Sequence, residues 1–247
     1  MRALERDINL VFIRGKKYLA LLGIYLALII LLSIGNNPNG QGPLSTMIEA
    51  VFRDSGNIID FRDFTFPISF IVIHFLPVFA LSEIFYRDNI NFGSYLIGKF
   101  PSKRLYLANK FFASLVINLV IGFFFFASLN LFVSLLGESD GRLMRGFIRV
   151  GIFYSLENVL FTNFTLLISL FLGLRLALSI FMANLVLAMV TNFPLILGQG
   201  SLVMKQDFYG GFFSLGLNTR VLVIYMIIFL LLAYKLPRRY DYYGRKR

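Results

Sequence analysis

Cysteine and tryptophan are absent from the 247 residues, and histidine occurs once, as His74. Without cysteine there are no disulfides, zinc–thiolate sites, iron–sulfur clusters or thiol nucleophiles. A single histidine excludes the multi-histidine metal centres. Charge is scarce as well, at 15% of residues, where a soluble domain carries about 25%. What replaces it is apolar: 57% of residues are hydrophobic, 29 of them phenylalanine, and the mean hydropathy is +0.75. This composition is that of an integral membrane protein. Its 24 Lys and Arg outnumber 13 Asp and Glu, for a net charge of +11. In a soluble chain that excess would suggest nucleic acid. In a membrane chain it marks basic loops kept in the cytoplasm, and no nucleic-acid partner is expected.

About 20 apolar residues cross a bilayer's hydrocarbon core. Six stretches are read as spans on that measure: residues 18–34, 64–85, 111–136, 147–172, 176–197 and 221–236. The last is short, and a start nearer Leu215 would lengthen it. The fourth and fifth are separated only at Gly173-Leu174-Arg175, because some 50 residues cannot form one span. Unbroken apolar runs favour helices over the alternation of a membrane barrel. The expected fold is therefore all-α, a single transmembrane domain over residues 1–247. Before the first span, Leu4, Ile8, Val11 and Phe12 recur at helical spacing, with Arg2, Glu5, Arg6 and Asn9 between them. Residues 1–17 are read as an amphipathic interfacial helix. No cleavable signal peptide is expected, since the first apolar stretch exceeds an h-region and lacks an A-x-A site.

With a cytoplasmic N-terminus, seventeen Lys and Arg fall inside and seven outside. That bias predicts a multi-pass protein of the cell membrane with both termini cytoplasmic. The outer loop of residues 35–63 opens on Asn- and Gly-rich turn chemistry. A short helix around Ile48, Val51 and Phe52 is expected to follow.

Gly93 to Lys99 satisfies G-x-x-x-x-G-K, but Phe100 stands where a phosphate-binding loop needs Ser or Thr for magnesium. The segment also follows a membrane span where a buried strand is required. ATP binding by this chain is not expected. Instead Phe92, Tyr95, Leu96, Lys99 and Phe100 share one helical face, an amphipathic helix that either lies on lipid or docks into a soluble partner.

Glu83 at the end of the second span, then Gly93, Leu96, Pro101-Ser102, Arg104, Tyr106 and Lys110, resemble the membrane subunits of type-2 ABC exporters. Asn109-Lys110 stands where Gly-Lys is common in that family. The layout is similar too: an interfacial first helix, six spans, a short connection between the fourth and fifth, and a Gly- and Phe-rich segment before the sixth. The resemblance implies a cytoplasmic coupling helix between spans two and three, with Glu83, Phe92, Gly93, Tyr95, Leu96, Pro101 and Arg104 coupling to a separate ATPase subunit. ATP and Mg would sit on that subunit and no cofactor on this chain. It further implies a permease homodimer and a re-entrant outer segment over residues 198–218.

Polar residues inside the spans are few. Ser155, Asn158, Thr162, Thr165 and Ser169 form one helical stripe, which marks either a helix–helix seam or the lining of a pathway. Glu157 differs in kind, because a carboxylate inside a span costs a few kcal/mol unless it faces a partner, water or cargo. Asn184, Thr191 and Asn192 stripe the fifth span within its expected reach. Glu157, Asn158, Thr162, Asn184 and Asn192 are thus candidate pathway residues. No catalytic set or metal site is assembled. The expected function is an exporter permease for a hydrophobic or amphipathic cargo, such as a peptide or lipid-like molecule. The alternative is a proton- or ion-coupled carrier using Glu157 and His74, for which no inverted repeat is visible.

Overall fold

The computed structural model describes residues 2–35, 68–135 and 141–236. The expected helix around Ile48, the first residues of the second span and the basic C-terminal tail lie outside them. Within them the chain is helical, with no strand. Helix α1 runs over Arg2–Gly35, α2 over Ile68–Ile97, α3 over Lys103–Leu135, α4 over Gly141–Leu172, α5 over Leu174–Val190 and α6 over Leu215–Lys235. Two single 3-10 turns, Val203–Lys205 and Asp207–Tyr209, lie between α5 and α6. Among the described residues four helices are long and apolar enough to cross a membrane, namely α2, α3, α4 and α6.

Several boundaries depart from expectation, each for a local reason. The amphipathic start and the first apolar stretch form one uninterrupted helix, α1. Helix α2 does not end at residue 85 but continues to Ile97. The segment expected as a separate coupling helix is therefore its final turns. Arg87 and Asp88 just past residue 85 are both ion-paired, so their charges are met without ending the helix. It ends instead in a turn, with the Lys99 and Phe100 amides bonding the carbonyls of Leu96 and Ile97, just before Pro101, which cannot continue a helix. Ser102 then caps α3, accepting from the Leu105 amide at 3.2 Å. Helix α5 stops at Val190, short of residue 197, because Pro194 lacks an amide and restricts the residue before it. Helix α6 starts at Leu215, where Ser214 accepts from the Leu217 amide.

Helix α4 is the hub, with 72% of its apolar window buried against 22% for α6. It packs on α2, α3, α5, α6 and the second 3-10 turn, while α1 packs on α2 and α3. Helices α3 and α4 run antiparallel. Ser114 bonds Asn163, Asn118 bonds Thr162 and Phe126 packs on Phe147. At Gly122 a Cβ would come within 1.9 Å of Ser155 Oγ, so only glycine permits this approach. The α4–α5 turn rests on Gly173, whose φ of 84° is a conformation that L side chains avoid.

Candidate functional site

Residues 191–214 leave helical form yet are not a solvent loop. Leu197, Gln199, Ser201, Leu202, Val203, Lys205, Gln206 and Phe213 are all buried. Irregular backbone at membrane depth must have its polar groups met by protein, and side chains meet them here. Asn184 donates to the Leu197 carbonyl at 2.6 Å. Gln199 donates to the carbonyls of Thr191 and Phe193, and Gln206 to those of Gln199 and Leu202. Asn218 of α6 donates to Gln206 Oε1. The Lys205 ammonium donates to the carbonyls of Ala188 and Thr191 at 2.7 and 2.6 Å. It thereby places a positive charge on the negative, unsatisfied end of α5.

The centre of this arrangement is Glu157. It is 2% exposed. Its Oε1 accepts the Gly200 amide at 2.9 Å, and its Oε2 lies 2.5 Å from Ser201 Oγ. A Cβ at position 200 would come within 2.9 Å of that carboxylate and 3.0 Å of the Phe153 ring, so the approach requires glycine. Ser201 Oγ also lies 3.0 Å from His74 Nε2, and His74 Nδ1 lies 2.7 Å from Asn158 Oδ1. One row, Glu157–Ser201–His74–Asn158, therefore joins α4, the irregular segment and α2.

With Nδ1–H donating to Asn158, this row accommodates its remaining proton in two ways. Glu157 holds it and donates to Ser201, which donates to a neutral imidazole. Otherwise the imidazolium donates to Ser201, which donates to the carboxylate. Both arrangements carry no net charge, which is what a low-dielectric interior requires. Around the imidazole stand the rings of Phe70, Tyr154 and Phe161. Pro77 frees the carbonyl of Ile73, four residues earlier, and Tyr154 Oη donates to it at 2.7 Å. The proline is thus part of the site's frame.

Comparison with protein-family models, with curated proteins and with solved structures gave no match to this chain. Function must be read from its own geometry.

A second polar cluster lies at the other end of the bundle. Lys110 of α3 is 1% exposed and pairs with Asp7 of α1 at 2.8 Å and with Asp88 of α2. Arg6 reaches both carboxylates, and Asn109 donates to Asp7 at 2.7 Å. Two anions thus meet two cations, and three helices are tied together. Burial works against the charge on Arg6, but Asp7 and then Asp88 outweigh it and hold its pKa above the usual value. One helical stretch along, Glu83 bonds Tyr18 of α1 and pairs with Arg87 at 2.6 Å.

The expected coupling residues divide. Phe92 and Tyr95 are exposed at 46% and 65%, and Pro101 is exposed beside them. Leu96 is buried and its side chain packs in the core. Gly93 is buried within α2. Glu83 is an internal tie, and Arg104 stacks on Tyr234 of α6 at 3.9 Å. The phosphate-loop look-alike is helical from Gly93 to Ile97, so its amides serve the helix, and Lys99 lies over the Tyr95 ring.

The pathway candidates divide too. Asn158 bonds His74 of α2 and Thr162 bonds Asn118 of α3, so at these two positions the polar stripe of α4 joins neighbouring helices, while Ser155 and Ser169 bond carbonyls of α4 itself. Asn184 holds the irregular segment, while Asn192 is exposed at its start. Sequence reasoning passed over Ser201, Lys205, Gln206 and Asn218. It also passed over Asp7, although Asp7 lies on the apolar face of Leu4, Ile8 and Val11. An acid in that position signals a buried partner.

Proposed function

We propose that the chain is the membrane subunit of an ATP-driven exporter that moves a hydrophobic or amphipathic cargo out of the cytoplasm. It works as a homodimer with a separate ATPase subunit that holds ATP and Mg. It crosses the membrane six times, counting the apolar half of α1 and the short α5, with both termini cytoplasmic. One observation carries this reading. The end of α2 is anchored inward by Leu96, Ile97 and the Asp7–Asp88–Lys110 cluster while it turns Phe92 and Tyr95 outward. A rigidly mounted aromatic knob transmits a push from a partner into α1, α2 and α3 together, whereas a loose loop would absorb it. ATP-driven closure of the ATPase then biases the bundle between two states by differential contact. At the far end, the pinned irregular segment is the natural element to move.

The test is a photo-crosslinker at position 95 in native membranes. A crosslinked product containing an ABC ATPase is expected. Products containing only lipid would overturn the reading.

A second reading has its own support, because Ser201 joins Glu157 to His74. On that reading the chain is a proton-coupled carrier and the row passes the proton. Purified chain in liposomes under an imposed pH gradient separates the two. Proton flux abolished by Glu157→Gln favours the carrier, and no flux without an ATPase favours the exporter.

A further inference from the structure

On the outer surface of the bundle, α4 and α6 diverge to leave a cleft of about 360 Å³. Ile152, Leu156 and Leu160 of α4 face Leu215, Val223 and Met226 of α6 across it. Their spacings keep each set on one helical face. The cleft's polar groups are Arg149 and Thr219. Both lie at the end where α6 begins, opposite the Asp7–Lys110 cluster. From Arg149 to Leu160 is eleven residues, about 16 Å of helix, or half of a hydrocarbon core about 30 Å thick. The slot is thus one leaflet deep, apolar along its length and cationic at its mouth.

Charge strengthens this asymmetry. Arg145 lies one turn before Arg149, and Arg220 follows Thr219. None of the three arginines has an ion-pair partner among the described residues. The described acids at this end are Asp207, which is exposed, and further in Glu157, which is committed to Gly200 and Ser201. An arginine above an apolar slot places its stem on hydrocarbon and its guanidinium at headgroup level, where it binds phosphate through two parallel bonds.

We propose that the α4–α6 cleft is a binding site for an anionic phospholipid of the adjoining leaflet, its acyl chain in the slot and its phosphate on Arg149. The site is independent of which transport reading holds.

The absence of tryptophan makes a fluorescence test clean. Ile152→Trp, on the 55% exposed rim, reports on the cleft. Leu131→Trp, 63% exposed on α3 near the same end, reports on ordinary lipid contact. Each full-length variant is reconstituted with phosphatidylglycerol or phosphatidylcholine bearing brominated chains. Quenching at position 152 should favour phosphatidylglycerol about fivefold, the worth of one cation at a membrane surface, with no preference at position 131. Arg149→Gln should abolish the preference and Arg149→Lys should keep most of it. Equal quenching by the two lipids, or a preference that survives Arg149→Gln, would overturn the proposal. So would absence of quenching at 152 by either lipid, which would mean that a second protein copy covers the cleft.

Discussion

Lys110 and Glu157 are both ionisable residues at nearly zero exposure, and each is stabilised differently. Lys110 has two carboxylates, so removing it strands Asp7 and Asp88 with Arg6 alone. Breaking one side of a buried pair costs about 3–5 kcal/mol. Lys110→Met should therefore lower the melting temperature in detergent sharply, and adding Asp88→Leu should recover much of the loss. A surface lysine would show neither effect. Glu157 has no Lys or Arg beside it among the described residues and is held by hydrogen bonds with the Gly200 amide and the Ser201 hydroxyl. Glu157→Leu leaves the Gly200 amide and the Ser201 hydroxyl without that partner, at about 1–3 kcal/mol each. It should expose residues 191–214 to protease, whereas Glu157→Gln retains an acceptor and should resist cleavage like the parent. If Glu157→Leu is as resistant as the parent, the carboxylate does not hold the segment.

At the scale of elements, the decisive joint is between α5 and the irregular segment. Helix α5 has 17 residues and its C-terminal carbonyls rest on Lys205 and Gln199. Lys205→Met keeps the stem and removes the ammonium. Hydrogen exchange should then speed up in the last turn of α5 and in residues 197–206, with the α3–α4 seam unchanged. Uniform loss of protection would show that Lys205 supports the whole fold and not this joint. The same scale explains why Leu96 and Tyr95, adjacent in sequence, differ in role. Neighbours on a helix point about 100° apart, so one anchors the end of α2 and the other is presented outward. An acidic substitution at Leu96 would injure the fold before any docking surface.

Across the whole molecule, contacts sort the chain ends. Arg6 meets Asp88 and Lys110 neighbours Tyr106, while Arg104 meets Tyr234. The start of α1, the α2–α3 turn and the end of α6 therefore share one end of the bundle. Residues 191–214 and the start of α6 form the other. The basic segments grouped as cytoplasmic by charge counting fall at the first end wherever they are described. In the cysteine-free chain, Pro101→Cys and Asp207→Cys give single labels on opposite ends. An impermeant maleimide added to intact cells should label position 207 and reach 101 only after permeabilisation. The reverse pattern would invert the orientation.

Composition alone determined the membrane setting, the helical class and the approximate place of the apolar segments, because hydrocarbon burial depends on local content summed over about 20 residues. The break at Gly173-Leu174-Arg175 was legible in the sequence, and there Gly173 acts on its own backbone. Helix α2 runs on past residue 85, where the second span was expected to end, because Asp88 is met by Arg6 and Lys110 of other helices and Arg87 by Glu83 one turn earlier. Glu157 stood out as costly in the sequence, but its partners lie 43 and 44 residues away, in a segment whose composition reads only as loop. The meeting of His74, Glu157 and Ser201, and that of Asp7, Asp88 and Lys110, were decided by helix packing alone. Pairing of polar groups at such separations depends on which helical faces come together, and no local pattern encodes that.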